Sequence, residues 1–154
     1  MKVSKLLTIA VLALGVSGVA ASDAFADAGD ITYRQKVMQA VGGHMGAMAT
    51  ILKGQGGDMK NFAAHADGMV ALAMISQTVF PKDSSQMEGK TEALDAIWDK
   101  PADFAKVNMA FLENAKALAA AAKTGDKGAI GAALGGLGKN GCKACHTDFR
   151  AKKK

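Results

Sequence analysis

Aromatic residues are scarce in this chain, at 5% of its 154 residues. Strand-forming β-branched residues are also sparse, whereas Ala, Met, Leu and Lys are frequent, so the composition argues against a β-sheet protein. The net charge is +5, but the basic residues are scattered and do not alternate with aromatic side chains. Because basic and aromatic residues together form nucleic-acid-binding surfaces, we do not expect a nucleic acid as partner.

Cysteine is limited to two residues, Cys142 and Cys145, which with His146 form the sequence CKACH. Three kinds of chemistry use such a motif. A thiol–disulfide couple usually begins a helix that follows a strand, and strand signals are nearly absent here. A structural zinc site needs four ligands, of which only His44, His65 or a carboxylate could be the fourth. Covalent haem is the favoured interpretation, because CxxCH is the c-type attachment sequence.

The chemistry of haem attachment accounts for the spacing of this motif. Two thiols three residues apart on a helix can add to the two vinyl groups of one haem, and the next residue then directs its imidazole to the iron. Both cysteines are used, so no thiol is left over. The motif predicts one covalent haem c on Cys142 and Cys145, with His146 as an axial ligand of the iron.

The N-terminus has the pattern of a secretory signal peptide. Two lysines precede an uncharged stretch over residues 6–22, and the tripeptide AFA at residues 24–26 is a small-x-small cleavage pattern. The stretch is short for a membrane-spanning helix of about 20 apolar residues, so an uncleaved anchor is the less favoured alternative. We expect a cleaved signal peptide over residues 1–26, one mature domain over residues 27–154, and a periplasmic location.

Helical periodicity dominates the first half of the mature chain. Apolar side chains recur at alternating steps of three and four residues, which is one face of a long helix. We expect Asp30 to cap this helix and the glycine-rich segment 54–57 to end it. Asp58 can cap a second helix that ends near Pro81.

Two further helices follow a long irregular connection. Residues 80–100 have loop composition, with room for a short turn over residues 94–98. Pro101 opens the third helix, and a turn at residues 124–126 leads into the fourth, which carries CKACH. Five glycines over residues 131–141 are costly in a helix, which indicates a bulky neighbour. Four helices with one long crossover between the second and third predict an all-α, antiparallel four-helix bundle.

Two residues of the first helix stand out on its apolar face. The antiparallel arrangement places this helix beside the fourth, so the face meets the predicted haem. Met38 has a thioether that can ligate iron or simply pack in the core. Arg34 is a charged residue at an apolar position. A buried charge needs a partner, which a haem propionate would be, unless the side chain extends to solvent.

The mature chain resembles the class II c-type cytochromes of the cytochrome c-prime family. Three segments carry the resemblance: YRQKVM at residues 33–38, KTEALDAIW at residues 90–98 and GCKACHTDFR at residues 141–150. The resemblance implies a four-helix bundle with one covalent haem c. It also implies a homodimer that forms through the first two helices.

The same resemblance assigns roles to individual residues. Cys142 and Cys145 match the attachment cysteines, and His146 matches the axial ligand. Met38 matches the distal position, where a Met ligates iron in low-spin members. In high-spin members the residue there blocks the iron without binding it, and NO or CO can enter; the residue type does not decide between the two. Further positions match haem contacts: Arg34, Gln35, Thr91, Glu92 and Arg150.

Two functions are compatible with such a haem. The first is electron transfer with redox partner proteins, which we favour. The alternative is a five-coordinate, high-spin haem protein that binds or sequesters NO or CO. We do not expect an enzyme such as a peroxidase, because that chemistry calls for a distal acid–base residue and Met38 offers none. We expect no insertion of the mature chain into a membrane.

Overall fold

The computed structural model describes residues 28–82, 84–87 and 89–152. The expected signal peptide and its cleavage site lie outside these residues. Within the described ranges, none of the helices has the length and apolar character needed to cross a bilayer. The helices are α1 (Ala28–Leu52), α2 (Phe62–Ser76), α3 (Ala96–Asp99), α4 (Pro101–Thr124), α5 (Lys127–Gly136) and α6 (Ala144–Phe149), with a 3-10 turn, Met59–Asn61, before α2 and a π-helical segment, Leu137–Lys143, between α5 and α6.

The long helices pack into a bundle. α2 packs against α1 and α4, and α4 also packs against α5 and the π-helical segment. This arrangement confirms the predicted all-α four-helix bundle. Large apolar side chains at most 1% exposed form its core, and burying each contributes about 1.5–3 kcal/mol: Met48, Phe62, Met69, Leu118, Ile130 and Leu137.

The starts of the first two helices differ in detail from the prediction. α1 begins at Ala28, so Asp30 lies in its first turn rather than at the cap, and a carboxylate there still interacts favourably with the helix dipole. Asp58 Oδ1 accepts a hydrogen bond from the Lys60 amide at 2.9 Å. Asp58 therefore caps the 3-10 turn that leads directly into α2.

The second helix ends earlier in the chain than the sequence pattern predicts. α2 ends at Ser76, so the prediction that it runs to near Pro81 is wrong. Proline disfavours helical geometry at the residue before it, here Phe80. The helix ends at Ser76, whose carbonyl accepts a hydrogen bond from Asn108 Nδ2 on α4 at 3.1 Å, and Val79 beyond it is buried, at 2% exposure.

A crossover loop, residues 77–95, connects α2 to α3 and thus to α4. α3 overlaps the short turn that we expected over residues 94–98. Trp98 on α3 donates from Nε1 to the carbonyl of Pro81 at 3.0 Å, which ties the two ends of the loop together. Pro101 is the first residue of α4, as expected.

Wider π-helical geometry interrupts the fourth helical run where it carries Cys142. Gly141 is buried there, and a Cβ on it would lie 3.0 Å from Leu137 Cδ1 and 3.3 Å from Phe111 Cα. Its missing side chain therefore lets α4 come close. At Gly135 a Cβ would meet nothing within 4 Å, so a bulky neighbour explains only part of the glycine content. Short π-helical insertions are frequent at functional sites.

Candidate cofactor site

A large cavity lies between α1, the crossover loop and the C-terminal helical run. Its volume is about 1010 Å³, at the upper limit of the roughly 300–1,000 Å³ of typical ligand pockets. The structure brings all nine sequence-predicted site residues into its wall: Arg34, Gln35, Met38, Thr91, Glu92, Cys142, Cys145, His146 and Arg150.

The CKACH motif forms one wall of this cavity. Cys142 lies on the π-helical segment and packs against the main core, whereas Cys145 lies on α6 and packs against a smaller cluster around Phe149. Both thiols are half-buried, and the His146 side chain is exposed at the cavity edge. The motif therefore presents two sulfur atoms and an imidazole to one space that reaches the surface.

The environment of the two thiols opposes ionisation. Burial raises the pKa of Cys142. It also raises the pKa of Cys145 to about 11, with Cys142 and Asp148 adding to the rise and Arg150 opposing it. Redox-active thiols have a lowered pKa, so these cysteines do not resemble a thiol–disulfide couple. Among the described residues, no group of three His, Cys, Asp or Glu side chains could hold a metal ion, which gives no support to a structural zinc site.

His146 is held in the form that can ligate iron. Partial burial lowers the pKa of its imidazole, the positive charge of Arg150 lowers it further, and Glu92 partly offsets both. The neutral form therefore prevails at neutral pH. Neutral imidazole is the metal-ligating form of histidine.

Arg34 is buried, at 3% exposure, so the alternative that it extends to solvent is wrong. Its Nη1 donates to Ser84 Oγ at 2.6 Å, and its Nη2 donates to the Ser84 carbonyl at 2.8 Å and to Thr91 Oγ1 at 3.1 Å. The guanidinium carbon lies 5.1 Å from the centroid of the Phe80 ring. Burial lowers the pKa of Arg34, and Asp30 opposes that shift. The groups that pair with this buried charge are thus hydrogen-bond acceptors of the crossover loop, on Ser84 and Thr91.

Gln35 adds a second link from α1 to the same loop. Its Nε2 donates to the Lys90 carbonyl at 2.9 Å. Thr91 Oγ1 also accepts a hydrogen bond from the Ala93 amide at 3.2 Å. Arg34 and Gln35 together hold the loop over the cavity from the α1 side.

The other end of the loop is tied to the C-terminal residues. The Leu94 amide donates to the Phe149 carbonyl at 3.1 Å, and the Ala151 amide donates to the Glu92 carbonyl at 2.8 Å. These bonds flank the isolated bridge between Ala93 and Arg150. The cavity is therefore closed by a loop that is anchored to α1 at one side and to the end of α6 at the other.

Arg150 is placed differently from Arg34. Its Nε is buried and has no hydrogen-bond acceptor among the described residues, because Glu92 Oε2, at 3.8 Å, gives only an ion pair. A buried donor without an acceptor costs about 1–3 kcal/mol. Since Arg150 lines the cavity, a carboxylate bound there, such as a haem propionate, would satisfy it. This donor and the neutral thiols fit a covalently attached haem.

The α1 wall opposite the motif is apolar where it contains Met38. Met38 is half-buried, and Val41 and Met45 continue the same wall. Among the described α1 residues that line the cavity, none is His, Asp or Glu. This wall can exclude water and contact a small ligand, but it supplies no acid–base group.

The cavity wall contains one hydrogen-bonded polar pair that the sequence analysis did not predict. Ser76 Oγ donates to Asn108 Oδ1 at 2.7 Å, and Asn108 Nδ2 donates to the Ser76 carbonyl at 3.1 Å. Both residues are buried, and the pair joins α2 to α4. Its one signal in the sequence is a polar residue, Asn108, between apolar positions of the third helix.

The chain is similar to known proteins over most of its length. A family model described as Cytochrome C' matches residues 30–150. A cytochrome c' from Pararhodospirillum photometricum is 37% identical over 120 residues, covering 78% of this chain and 94% of that protein. Two solved variants of cytochrome c prime from Alcaligenes xylosoxidans, each with a TM-score of 0.72, cover 80% of this chain and 94% of their own. One is ferrous with bound NO, at 30% identity, and the other has bound carbon monoxide, at 31% identity.

Proposed function

The chain belongs to the cytochrome c' family, and we propose that it is a periplasmic monohaem cytochrome that transfers electrons. The family is one of c-type haem proteins that carry covalently bound haem c and its iron. In this chain Cys142 and Cys145 attach the haem and His146 ligates the iron. The observation that carries the proposal is the presence of these three side chains in the wall of one large cavity.

The residues around the motif have the chemistry that a haem requires. When bound, haem supplies a one-electron iron couple. The neutral imidazole of His146 is ready to ligate metal, and Arg150 Nε offers a buried donor for a carboxylate. The other matched residues, Arg34, Gln35, Thr91 and Glu92, hold the loop that covers the cavity rather than offering free donors.

Access from the surface favours electron exchange with a partner protein. His146, Gln35 and Glu92 line the cavity and are exposed, so one edge of the site lies at the protein surface. Lys90 lines the same cavity and is exposed as well. Exposed positive charge steers encounters with acidic surfaces, so the redox partner presents an acidic patch.

Binding of NO or CO is a second candidate function, and the apolar α1 wall is the observation that favours it. Met38 either ligates iron or blocks a sixth position that a small gas could occupy. The relatives solved with bound NO and carbon monoxide support this alternative. As part of the same proposal we infer a role that is not enzymatic, in keeping with a family of haem-binding proteins.

The compartment and assembly belong to the same proposal. We expect cleavage after Ala26, a single haem-binding domain over residues 27–154, and export to the periplasm, where c-type haem is attached. Homodimerisation through α1 and α2 is supported by the exposed apolar side chains of Tyr33, Met74 and Ile75, which are 54%, 59% and 36% exposed.

The proposal is tested by purifying the chain from the periplasm of a host that attaches c-type haem. We expect a mass equal to residues 27–154 plus one haem, and a reversible one-electron titration followed by absorbance. Sharp, split visible bands of the reduced protein indicate six-coordinate iron and favour the electron carrier. A broad high-spin spectrum that changes on adding NO or CO favours the gas-binding alternative. A colourless protein with the mass of the bare polypeptide would contradict both.

A further inference from the structure

The two histidines outside the CKACH motif meet at the packed interface of α1 and α2. His44 Nδ1 lies 3.1 Å from the carbonyl oxygen of His65 and 3.4 Å from His65 Nδ1. The ring centroids are 5.1 Å apart and the rings are nearly perpendicular, at 79°. Since the centroids are farther apart than the Nδ1 atoms, the two Nδ1 atoms lie on the facing sides of the rings.

The backbone of α2 makes room for this contact at Gly68. A Cβ on Gly68 would lie 2.9 Å from His44 Nδ1, so a larger residue would push the ring away. Both histidines are half-buried: the helices fix their positions while solvent still reaches the rings. The pair is therefore positioned before any ligand arrives.

The separation of the two nitrogens suits one metal ion. Zinc binds histidine nitrogen at about 2.0–2.1 Å in tetrahedral geometry, which places two such nitrogens about 3.3–3.4 Å apart. We propose that His44 and His65 bind a divalent transition-metal ion of the zinc class through their Nδ1 atoms, with water completing its coordination. Imidazole ligands select zinc, copper and nickel over magnesium and calcium, which prefer oxygen.

Metal binding requires the ring hydrogen of His44 to change its position. In the ion-free protein His44 Nδ1 carries a hydrogen, because it donates to the His65 carbonyl, and His65 Nδ1 is then the acceptor of the pair. On metal binding the His44 proton moves to its own Nε2, which leaves both Nδ1 lone pairs for the metal, and the His65 carbonyl oxygen then faces the ion in place of the lost N–H. Each ring then binds through a nitrogen that carries no hydrogen, as a metal-bound imidazole does.

Calorimetric titration of the haem-loaded protein with zinc chloride, after removal of metals by chelator, tests this site. His146 and both cysteines are committed to the haem there, so the histidines left for zinc are His44 and His65. We expect one zinc per chain, and no heat of binding with magnesium chloride. His44→Gln and His65→Gln should each weaken zinc binding by at least about tenfold, the lower end of what even outer-shell partners cost. Thr50→Ala, an exposed change on α1, should leave it unchanged.

A second measurement separates lost ligation from lost folding. X-ray absorption at the zinc edge of the loaded wild-type protein should show a nitrogen and oxygen shell with imidazole scattering and no sulfur. No zinc binding by the wild-type protein, or sulfur in the shell, would overturn the proposal. So would glutamine variants that keep the haem spectrum, the helix content and the original zinc affinity.

Discussion

The two arginines of the cavity wall are both partly or wholly buried, yet they are used in opposite ways. Arg34, on α1, has neutral acceptors for both terminal nitrogens, and all of them belong to the crossover loop. Arg150, after α6, has a buried Nε with no hydrogen-bond acceptor among the described residues. In the α1 wall, the hydrogen-bond donors of Arg34 are satisfied by the protein itself. In the C-terminal wall, Arg150 Nε still has a donor that a cofactor can use. Substitution of Arg34 should therefore alter the stability of the fold, and substitution of Arg150 should alter the properties of the bound haem.

The largest effect is expected at the C-terminal wall itself. Replacing both Cys142 and Cys145 with Ser removes both attachment thiols, so covalent haem should be lost completely. Mass spectrometry under denaturing conditions measures it. Thr147→Ala, an exposed change on α6, should keep the haem. A double variant that retained covalent haem would show that the attachment lies elsewhere.

At the α1 wall we expect a large loss of stability. Arg34→Met removes charged hydrogen bonds and takes a donor away from both Oγ and the carbonyl of buried Ser84, so the free energy of unfolding should fall by about 3 kcal/mol. Urea unfolding of the haem-loaded protein measures it. Gln35→Ala, which removes one hydrogen bond at an exposed residue, should cost less than about 1 kcal/mol. Equal costs for the two variants would refute the view that Arg34 anchors the loop.

Met38→Ala removes an apolar side chain from the α1 wall and so distinguishes the two roles proposed for Met38. If Met38 blocks the iron, its removal should raise the CO affinity of the reduced protein, about tenfold if displacing it costs about 1.4 kcal/mol. If Met38 ligates the iron, the low-spin spectrum should vanish instead. Met109→Ala, on the exposed face of α4, is the control for both. Unchanged spectrum and affinity would remove Met38 from either role.

The smallest effect on stability is expected at Arg150. Arg150→Gln should change the free energy of unfolding by much less than Arg34→Met does, because its ion pair with Glu92 is long and partly exposed and only its Nε is buried. Losing a positive charge beside the haem stabilises the oxidised iron, so the midpoint potential should fall by on the order of 50 mV. Arg150→Lys keeps the charge and should keep the potential. A potential that did not respond to Arg150→Gln would separate Arg150 from the cofactor.

Local patterns made the fold and the motif predictable. Helical periodicity depends on neighbours three and four residues away, so the four helices could be read from the sequence, and CKACH is a contiguous signature. The prediction for the end of α2 was wrong because the contact made there comes from a distant residue: Asn108 donates a hydrogen bond to the Ser76 carbonyl. For the same reason, the sequence did not predict that Ser84 pairs with Arg34 or that His44 contacts His65, since each contact joins residues far apart in the chain. The roles of the site residues as haem ligands and contacts stay predictions.

The hydrogen bonds that join residues 92–94 to residues 149–151 connect the crossover loop to the residues that directly follow the CKACH helix. A chain that ended at Phe149 would lose the bond from the Ala151 amide and the bridge at Arg150. Trimming of a few residues at this terminus would therefore loosen the loop over the cavity without removing the CKACH motif.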